Sequence, residues 1–387
     1  MPSSKLGEDT VHRNHFFSVL RAYRNKDVAE GVVQAIKRLS KKIHRKLLIM
    51  HICGTHEYTI THYGIRSLLP GNVEVRAGPG CPVCVTPSFV IRHAIELSLR
   101  KDVIITSFGD MLRVPDNRGF SLKSARAEGG NVKVVYSISD SLRLAKENPN
   151  KCVVHLAIGF ETTAPSTAAT LLSDPPENFL VLCYHLLIPP AMEHLLKSGE
   201  SKIDGFICPG HVSTIIGWRA YEEISLKYKV PQVVAGFEPL DVLIGIHMLL
   251  TMVAEGEYRV ENEYTRAVRA EGNERAKELM REVFAERDAV WRGLGLIPQS
   301  GLKLRRGFRE HDAFELFDLK LEDEDYSMPK GCRCGDVLKG LIYPEDCPLF
   351  GTSCTPTSPV GPCMVSLEGT CAIHYRLRRV KKLGEKR

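Results

Sequence analysis

The sequence predicts an α/β protein built as two open parallel-sheet domains facing a cleft, followed by a mainly helical, loop-rich domain that carries cysteines. Three observations lead there. Short β-branched apolar runs recur eight times before residue 240, alternating with helical patterns and separated from them by loops of Gly, Pro, Cys, His or Glu. Runs of this kind, bounded by turn signals, are how buried parallel strands read. That grammar stops after Pro239, and six of the twelve cysteines crowd the last 56 residues.

The elements follow in order. In residues 1–45, "DVAEGVVQAIKRLSKKIHRK" (27–46) has apolar residues at helical spacing and predicts N-terminal helices packed on the rest. Strands at 46–52, 73–77, 102–108 and 132–137 form the first α/β domain, 46–138. The helical, Asn- and Pro-bearing stretch "SDSLRLAKENPNK" (139–151) breaks the series. Strands at 152–158, 179–185, 205–209 and 232–237 then form the second, 139–240. Eight strands could also close a barrel with its chemistry at the same end, but the break favours two open sheets. The third domain, 241–387, begins with the apolar helix pattern after Pro239. It continues with a charged segment from Glu261 to about Val290 that reads as helices, and ends in a cysteine-rich region and a basic tail.

Composition removes several function classes. With 387 residues, 43% apolar and 25% charged, the chain is neither disordered nor fibrous. The longest apolar run, from Leu243, is too short to span a bilayer, and the first ten residues lack the pattern of a signal peptide, so a cytoplasmic location and no membrane contact are expected. The net charge of +6 belongs to the last twelve residues, which hold seven Lys/Arg against one Glu; the remainder has 45 basic and 45 acidic residues. A neutral body with a basic tail, lacking an aromatic-rich basic stripe, argues against a nucleic-acid partner.

The cysteines carry the chemistry. In a reducing compartment, clustered cysteines bind metal or do redox work more often than they form a structural framework. "GPGCPVC" (78–84) sets Cys81 and Cys84 between a strand and a helix, with Thr86 suited to the helix cap and Pro87 to its first turn. Cys84 would then lie just before a helix N-terminus, where a thiolate is favoured. A redox-active dithiol is the leading reading; half of a zinc site with Cys53 and His56, and an inert packed pair, are the alternatives. Cys53 ends the first strand in "CGTHE" (53–57) and reads as a nucleophile or a soft metal ligand with His56 as proton partner. Cys152, Cys183 and Cys208, inside apolar runs, read as buried small hydrophobes. His56, Glu161, His211 and Glu238 sit on strand-end loops, where proton transfer or ligand hydrogen bonding competes with capping and backbone-binding roles. Cys332, Cys334, Cys347, Cys354, Cys363 and Cys371 lie among Gly, Pro and Thr, a setting for loop-borne thiolates. The missing paired C-x2-C knuckles favour an iron–sulfur cluster over zinc.

Together "CGTHE", "GPGCPVCVTP", "FGDMLRVP", "GFETTAP", "PGHVS", "VVAGFEPLD", "VWRGLG" and "CRCGDVL…DCPLFGTSCTP…GPCMVSLEGTCA" resemble the HypD family of hydrogenase maturation proteins, over roughly Leu47 to Tyr375. The resemblance implies a scaffold on which an iron atom with two cyanides and one carbon monoxide is assembled for the large subunit of a nickel–iron hydrogenase. It implies a complex with the small chaperone HypC, cyanide delivery through HypE charged by HypF, and a [4Fe-4S] cluster. Carried over residue by residue, Cys53 is the ligand of the assembled iron, Cys81 and Cys84 are the dithiol that relays electrons, and Cys334, Cys347, Cys354 and Cys371 hold the cluster. Cys332 and Cys363 are additional to that set. The rival function is an iron–sulfur-dependent thiol/disulfide oxidoreductase acting on a protein or small disulfide; a zinc-stabilised interaction module is the third.

Overall fold

The computed structural model describes residues 21–384. All eight expected strands form: β1 Leu47–His51, β2 Val73–Ala77, β3 Val103–Ser107, β4 Val132–Val134, β5 Cys152–Gly159, β6 Phe179–His185, β7 Gly205–Pro209 and β8 Gln232–Ala235. Their division between sheets differs from the expectation. With β9, Val260–Asn262, one sheet has the order β2-β1-β7-β8-β9 and the other β4-β3-β5-β6, every pair parallel. The chain leaves the first sheet after β2, builds the whole of the second, and returns for β7.

The boundary expected at 138/139 therefore falls inside the second sheet, and the two sheet units are interleaved rather than consecutive. The physical reason is that an apolar run specifies burial on both faces but not the neighbouring strand. Helices Ser88–Ser98 and Ile188–Ser198, which precede the two crossings, are each eleven residues long and look like any other βα connection.

Strand order reverses between β1 and β7 in the first sheet and between β3 and β5 in the second. Ligands of open α/β sheets bind outside the carboxyl ends of strands at such switch points. "CGTHE" and "PGHVS" follow β1 and β7, while "FGD" and "GFETTAP" follow β3 and β5. The motifs thus occupy both switch points.

Helix α1, Lys26–Ser40, forms as expected, with Asn25 Oδ1 accepting the backbone N–H groups of Asp27 and Val28 at 2.9 and 3.2 Å. It buries Val33 and Ile36 in the same core as Leu243 and Ile246 of the apolar helix Pro239–Glu255. Residues 1–20, in the expected N-terminal helical region, lie outside the described residues, as do the side chains of the basic tail from position 378 onward.

Strand structure does not stop at Pro239. Besides β9, β10 Phe284–Trp291 and β11 Gly295–Leu304 form an antiparallel hairpin with a bulge between Arg287 and Ala289. The segment expected to be helical to Val290 is helical only over Glu274–Val283. "FAERDAVW" is rich in helix formers, and tertiary packing overrides that propensity. The Tyr184 hydroxyl donates to Val290 O at 3.1 Å and lies 3.2 Å from Val290 N, while Leu187 N donates to Ser300 O at 2.8 Å, docking the hairpin on the end of β6. Loops and single helical turns follow to the terminal helix Thr370–Gly384, which packs on helix α2, Gly54–His62. One core joins residues of both sheets to the cysteine region, including Met50, Phe89, Leu156, Trp291, Cys334 and Cys363. No helix among the described residues is long and apolar enough to cross a membrane.

Candidate functional site

Cys53 leaves β1 in an extended conformation and stands at the N-terminus of α2, 8% exposed. Burial pushes its thiol up to about 11, against the opposing pull of the His56 and Thr55 backbone N–H groups. Without a bound metal this sulfur is a thiol; a metal that displaces the proton turns it into a ligand. Two glycines let other segments reach it. A Cβ on Gly80 would lie 2.3 Å from Cys53 N and 2.5 Å from Cys53 Cα, and one on Gly54 would lie 2.4 Å from Glu368 O. The "GPGCPVC" loop and the C-terminal cysteine region therefore both rest directly on the "CGTHE" turn.

Gly80→Ala is expected to destabilise the fold by about 1–3 kcal/mol, because the new methyl meets backbone rather than a movable side chain. Chemical denaturation of the two chains measures this.

Cys81 and Cys84 are joined by a disulfide, with Cα atoms 5.3 Å apart, and are 4% and 0% exposed. Their local structure differs from the expected one. Pro82–Val85 is a single helical turn capped by Cys81, and the next helix starts separately at Ser88 with Pro87 at its cap position. Thr86 does not cap that helix; it is the C-cap of the Pro82–Val85 turn, its backbone N–H and its hydroxyl both donating to Pro82 O, the hydroxyl at 2.8 Å. Cys84 thus lies within a helical turn, not just ahead of a long helix. That turn packs on Pro362–Met364, which carries Cys363.

Cys334, Cys363 and Cys371 lie within side-chain hydrogen-bonding reach of one another, and Cys332 within reach of Cys334. A Cβ on Gly361 would fall 2.4 Å from Cys332 Sγ and 2.9 Å from Cys334 Sγ. Cys354 Sγ accepts Val360 N–H at 3.3 Å and interacts electrostatically with both Cys332 and Cys347. Six thiols thus form one connected group, carried by loops, by the short helical turns that start at Cys334 and hold Cys363, and by the first turn of the terminal helix. The hydrogen bond from Cys334 holds Cys332 down at about 7, against burial. No set of three or more His, Cys, Asp or Glu side chains among the described residues stands ready to hold a single metal ion. What the group offers instead is soft sulfur donors from several loops, the donor set an iron–sulfur cluster uses.

With that geometry in place, comparison with known proteins is decisive. The profile of the HypD family, described as "Hydrogenase formation hypA family", matches residues 27–378. A putative hydrogenase expression/formation protein of Methanocaldococcus jannaschii is 50% identical over 351 residues, covering 90% of this chain and 96% of the relative. The hydrogenase maturation factor HypD of Cupriavidus necator is 44% identical over 374 residues, covering 94% and 98%. That of Azotobacter vinelandii is 46% identical over 347 residues, covering 87% and 91%. The chain belongs to the HypD family.

In this HypD-family chain the two candidate histidines flank one aromatic ring. Phe237 lies 4.9 Å from the His56 ring and stacks on His211 at 4.0 Å between centroids. His56 is buried, and its Nε2 donates to Gly236 O at 2.9 Å and to Ala235 O at 3.2 Å, tying α2 to the end of β8. Because both partners are carbonyls, Nε2 carries the proton, and the buried Nδ1 has no partner. Burial first, then His51, lowers His56 to about 3, so the ring is neutral. His211 is exposed, in contrast. Glu161 is buried, with Oε1 accepting Ile188 N–H at 2.9 Å and Oε2 unpartnered, and burial raises it to about 7. Glu238 caps the helix after β8 and pairs with Arg24 on the surface. Cys183 and Cys208 are buried as expected, but Cys152 is only partly so, since it opens β5 at the sheet's N-terminal rim.

Sequence reasoning missed the charge network beneath Cys53. Glu57 is fully buried, and its carboxylate meets His51 Nε2 at 2.8 Å, Arg66 at 2.7 and 2.8 Å, His374 Nε2 at 2.9 Å and the Thr61 hydroxyl. His374 reaches Glu345 through Nδ1 at 3.0 Å. A ring with a carboxylate on each nitrogen donates twice only as imidazolium; although burial works the other way, Glu345 and Glu57 hold His374 up at about 9. The partial signal in sequence was the acid of "CGTHE" itself, but its partners lie at distances along the chain that no local pattern marks.

Proposed function

We propose that this chain is the scaffold on which an iron atom bearing cyanide and carbon monoxide is assembled for a nickel–iron hydrogenase, with that iron as cargo held by Cys53. The observation that carries the reading is a contact path. Cys53 touches Gly80 of the dithiol loop, and the turn holding Cys84 touches the turn holding Cys363. Membership in a family of hydrogenase maturation factors supports the same reading.

In this reading the C-terminal thiols, Cys334, Cys347, Cys354 and Cys371 with Cys332 and Cys363 beside them, hold a [4Fe-4S] cluster, which supplies single electrons when bound. Cys81 and Cys84 store two: their disulfide takes up two electrons and two protons as it opens to two thiols. Cys53 offers a soft thiolate to a low-spin ferrous centre. His56 keeps its Nδ1 lone pair free to accept a hydrogen bond, while its Nε2–H fixes the ring. His211 faces outward beside the same phenyl ring, where an incoming partner meets it. Those partners are the chaperone HypC, HypE charged by HypF as cyanide donor, and indirectly the hydrogenase large subunit, all in the cytoplasm. The oxidoreductase alternative is disfavoured by burial of both disulfide sulfurs, since an external disulfide must reach the attacking thiolate.

The test is an infrared spectrum of the chain co-produced with its small chaperone in a host carrying the maturation machinery and purified without oxygen. Two cyanide bands and one carbonyl band are expected. A silent triple-bond region over an intact cluster would replace the scaffold reading with the oxidoreductase one.

A further inference from the structure

Arg292, in "VWRGLG", is 0% exposed. Its Nη1 donates to Pro115 O at 2.9 Å and its Nη2 to Asn117 Oδ1 at 3.3 Å, while Nε has no partner. Neutral oxygens thus take its hydrogen bonds, and no carboxylate pairs with it among the described residues. Asp325 is near enough to act on it through space, but Asp325 Oδ1 accepts from Asn117 Nδ2 at 2.6 Å and its Oδ2 is also unpartnered. Cys334, Cys332 and Cys363 are also near enough to act on Arg292 through space once they are ionised. A guanidinium stays protonated, and burying one without a counter-charge is strongly disfavoured.

The backbone around it explains the placement. Arg292 N donates to Val85 O, the residue after Cys84, at 2.8 Å. Next to it, Gly293 lies so close to Gly335 that a Cβ would fall 2.9 Å from Gly335 Cα. Arg292 is therefore fixed between the dithiol turn and the helical turn that starts at Cys334.

We infer that Arg292 is the counter-ion of the C-terminal thiol group, a positioning residue whose fixed positive charge balances the charge that Cys332, Cys334 and Cys363 contribute when the loops hold a cluster. This rests on the cluster reading given above. A buried positive charge favours the more negative, reduced state, and in a water-excluded interior it is little screened. Arg292 thus sets how readily the bound cluster accepts an electron, and the Asp325 carboxylate opposes it.

The experiment is a redox titration, followed by electron paramagnetic resonance, of the full chain reconstituted anaerobically with ferrous iron and sulfide. Arg292→Gln is expected to move the midpoint to a more negative potential, Arg292→Lys to stay near the native value, and Asp325→Asn to move it the opposite way, all at native iron and sulfide content. Unchanged midpoints in the Gln and Asn variants would overturn the counter-ion role and leave the cluster reading standing. A native chain that takes up no cluster would overturn both. Should Arg292→Gln fail to fold or load, Asp325→Asn still decides, because an unchanged or lowered midpoint there contradicts the inference.

Discussion

Replacing Glu57 by Gln is expected to cost the fold about 3–5 kcal/mol, the scale for breaking a buried ion pair by removing one partner. The amide cannot accept from His51, Arg66, Thr61 and His374 together, and it leaves Arg66 and the His374 imidazolium without their shared carboxylate. Because His374 lies on the terminal helix and Glu57 on α2, loosening is expected first where these two helices meet, beside Cys371 and Cys53. Denaturation midpoints, with hydrogen exchange to locate the opening, measure both effects.

The same network fixes a pH dependence. His374 is raised to about 9 from an ordinary 6.5, so its contribution is fully present below pH 6.5 and is lost as pH rises through 9. Its size is on the order of 3 kcal/mol. Glu57 is held well below its ordinary 4.5 by Arg66, His374 and His51 despite burial, so its contribution is present above pH 4.5 and is lost as pH falls through the depressed value. The two share one interaction and do not add. Stability from this network is therefore greatest between about pH 4.5 and 6.5. A His374→Gln chain should lose the alkaline decline in an unfolding series from pH 6 to 10; a decline that persists unchanged would assign it to other groups.

On the scaffold reading proposed above, Cys53→Ser is expected to abolish cyanide- and carbonyl-bearing iron, with the infrared bands falling to background, because a hydroxyl is a poor replacement for a soft thiolate on low-spin iron. Iron and sulfide bound by the C-terminal loops are expected to remain at native content, since Cys53 is absent from the group formed by Cys332, Cys334, Cys354, Cys363 and Cys371. Retention of the infrared bands in this variant would remove Cys53 as the ligand of the cargo and leave the scaffold without a named anchor.

The strands and their chemistry-bearing ends were legible because burial on both faces and glycine-bearing turns both write local patterns. All eight runs became strands, and the disulfide joins the two cysteines whose spacing suggested it. Sheet partnership was not legible: β1 finds β7 across more than 150 residues, and nothing in either run names the other. The hairpin at 284–304 was hidden behind helix-forming residues whose preference packing overrode. At the site, local placement read in part: Cys53 stands at a strand end and Glu238 caps a helix, but Thr86 and Pro87 fall at other positions of their helices than their spacing suggested. Long-range polar partnerships did not, because His374 meets Glu57, and Arg292 meets Pro115 and Asn117, across stretches of chain that no spacing marks.

Interleaved sheets also constrain how the molecule is made. During synthesis β1 and β2 emerge as a two-stranded parallel ribbon, and the edge of β1 that β7 will cover stays open while the whole second sheet is translated. At ordinary elongation rates of about 5–20 residues per second that interval is about 6–25 s. An apolar strand edge exposed for so long is a template for pairing with other chains. That edge is covered only when Gly205–Pro209 arrives, so a slow stretch of translation between β2 and β7 lengthens the exposure in direct proportion.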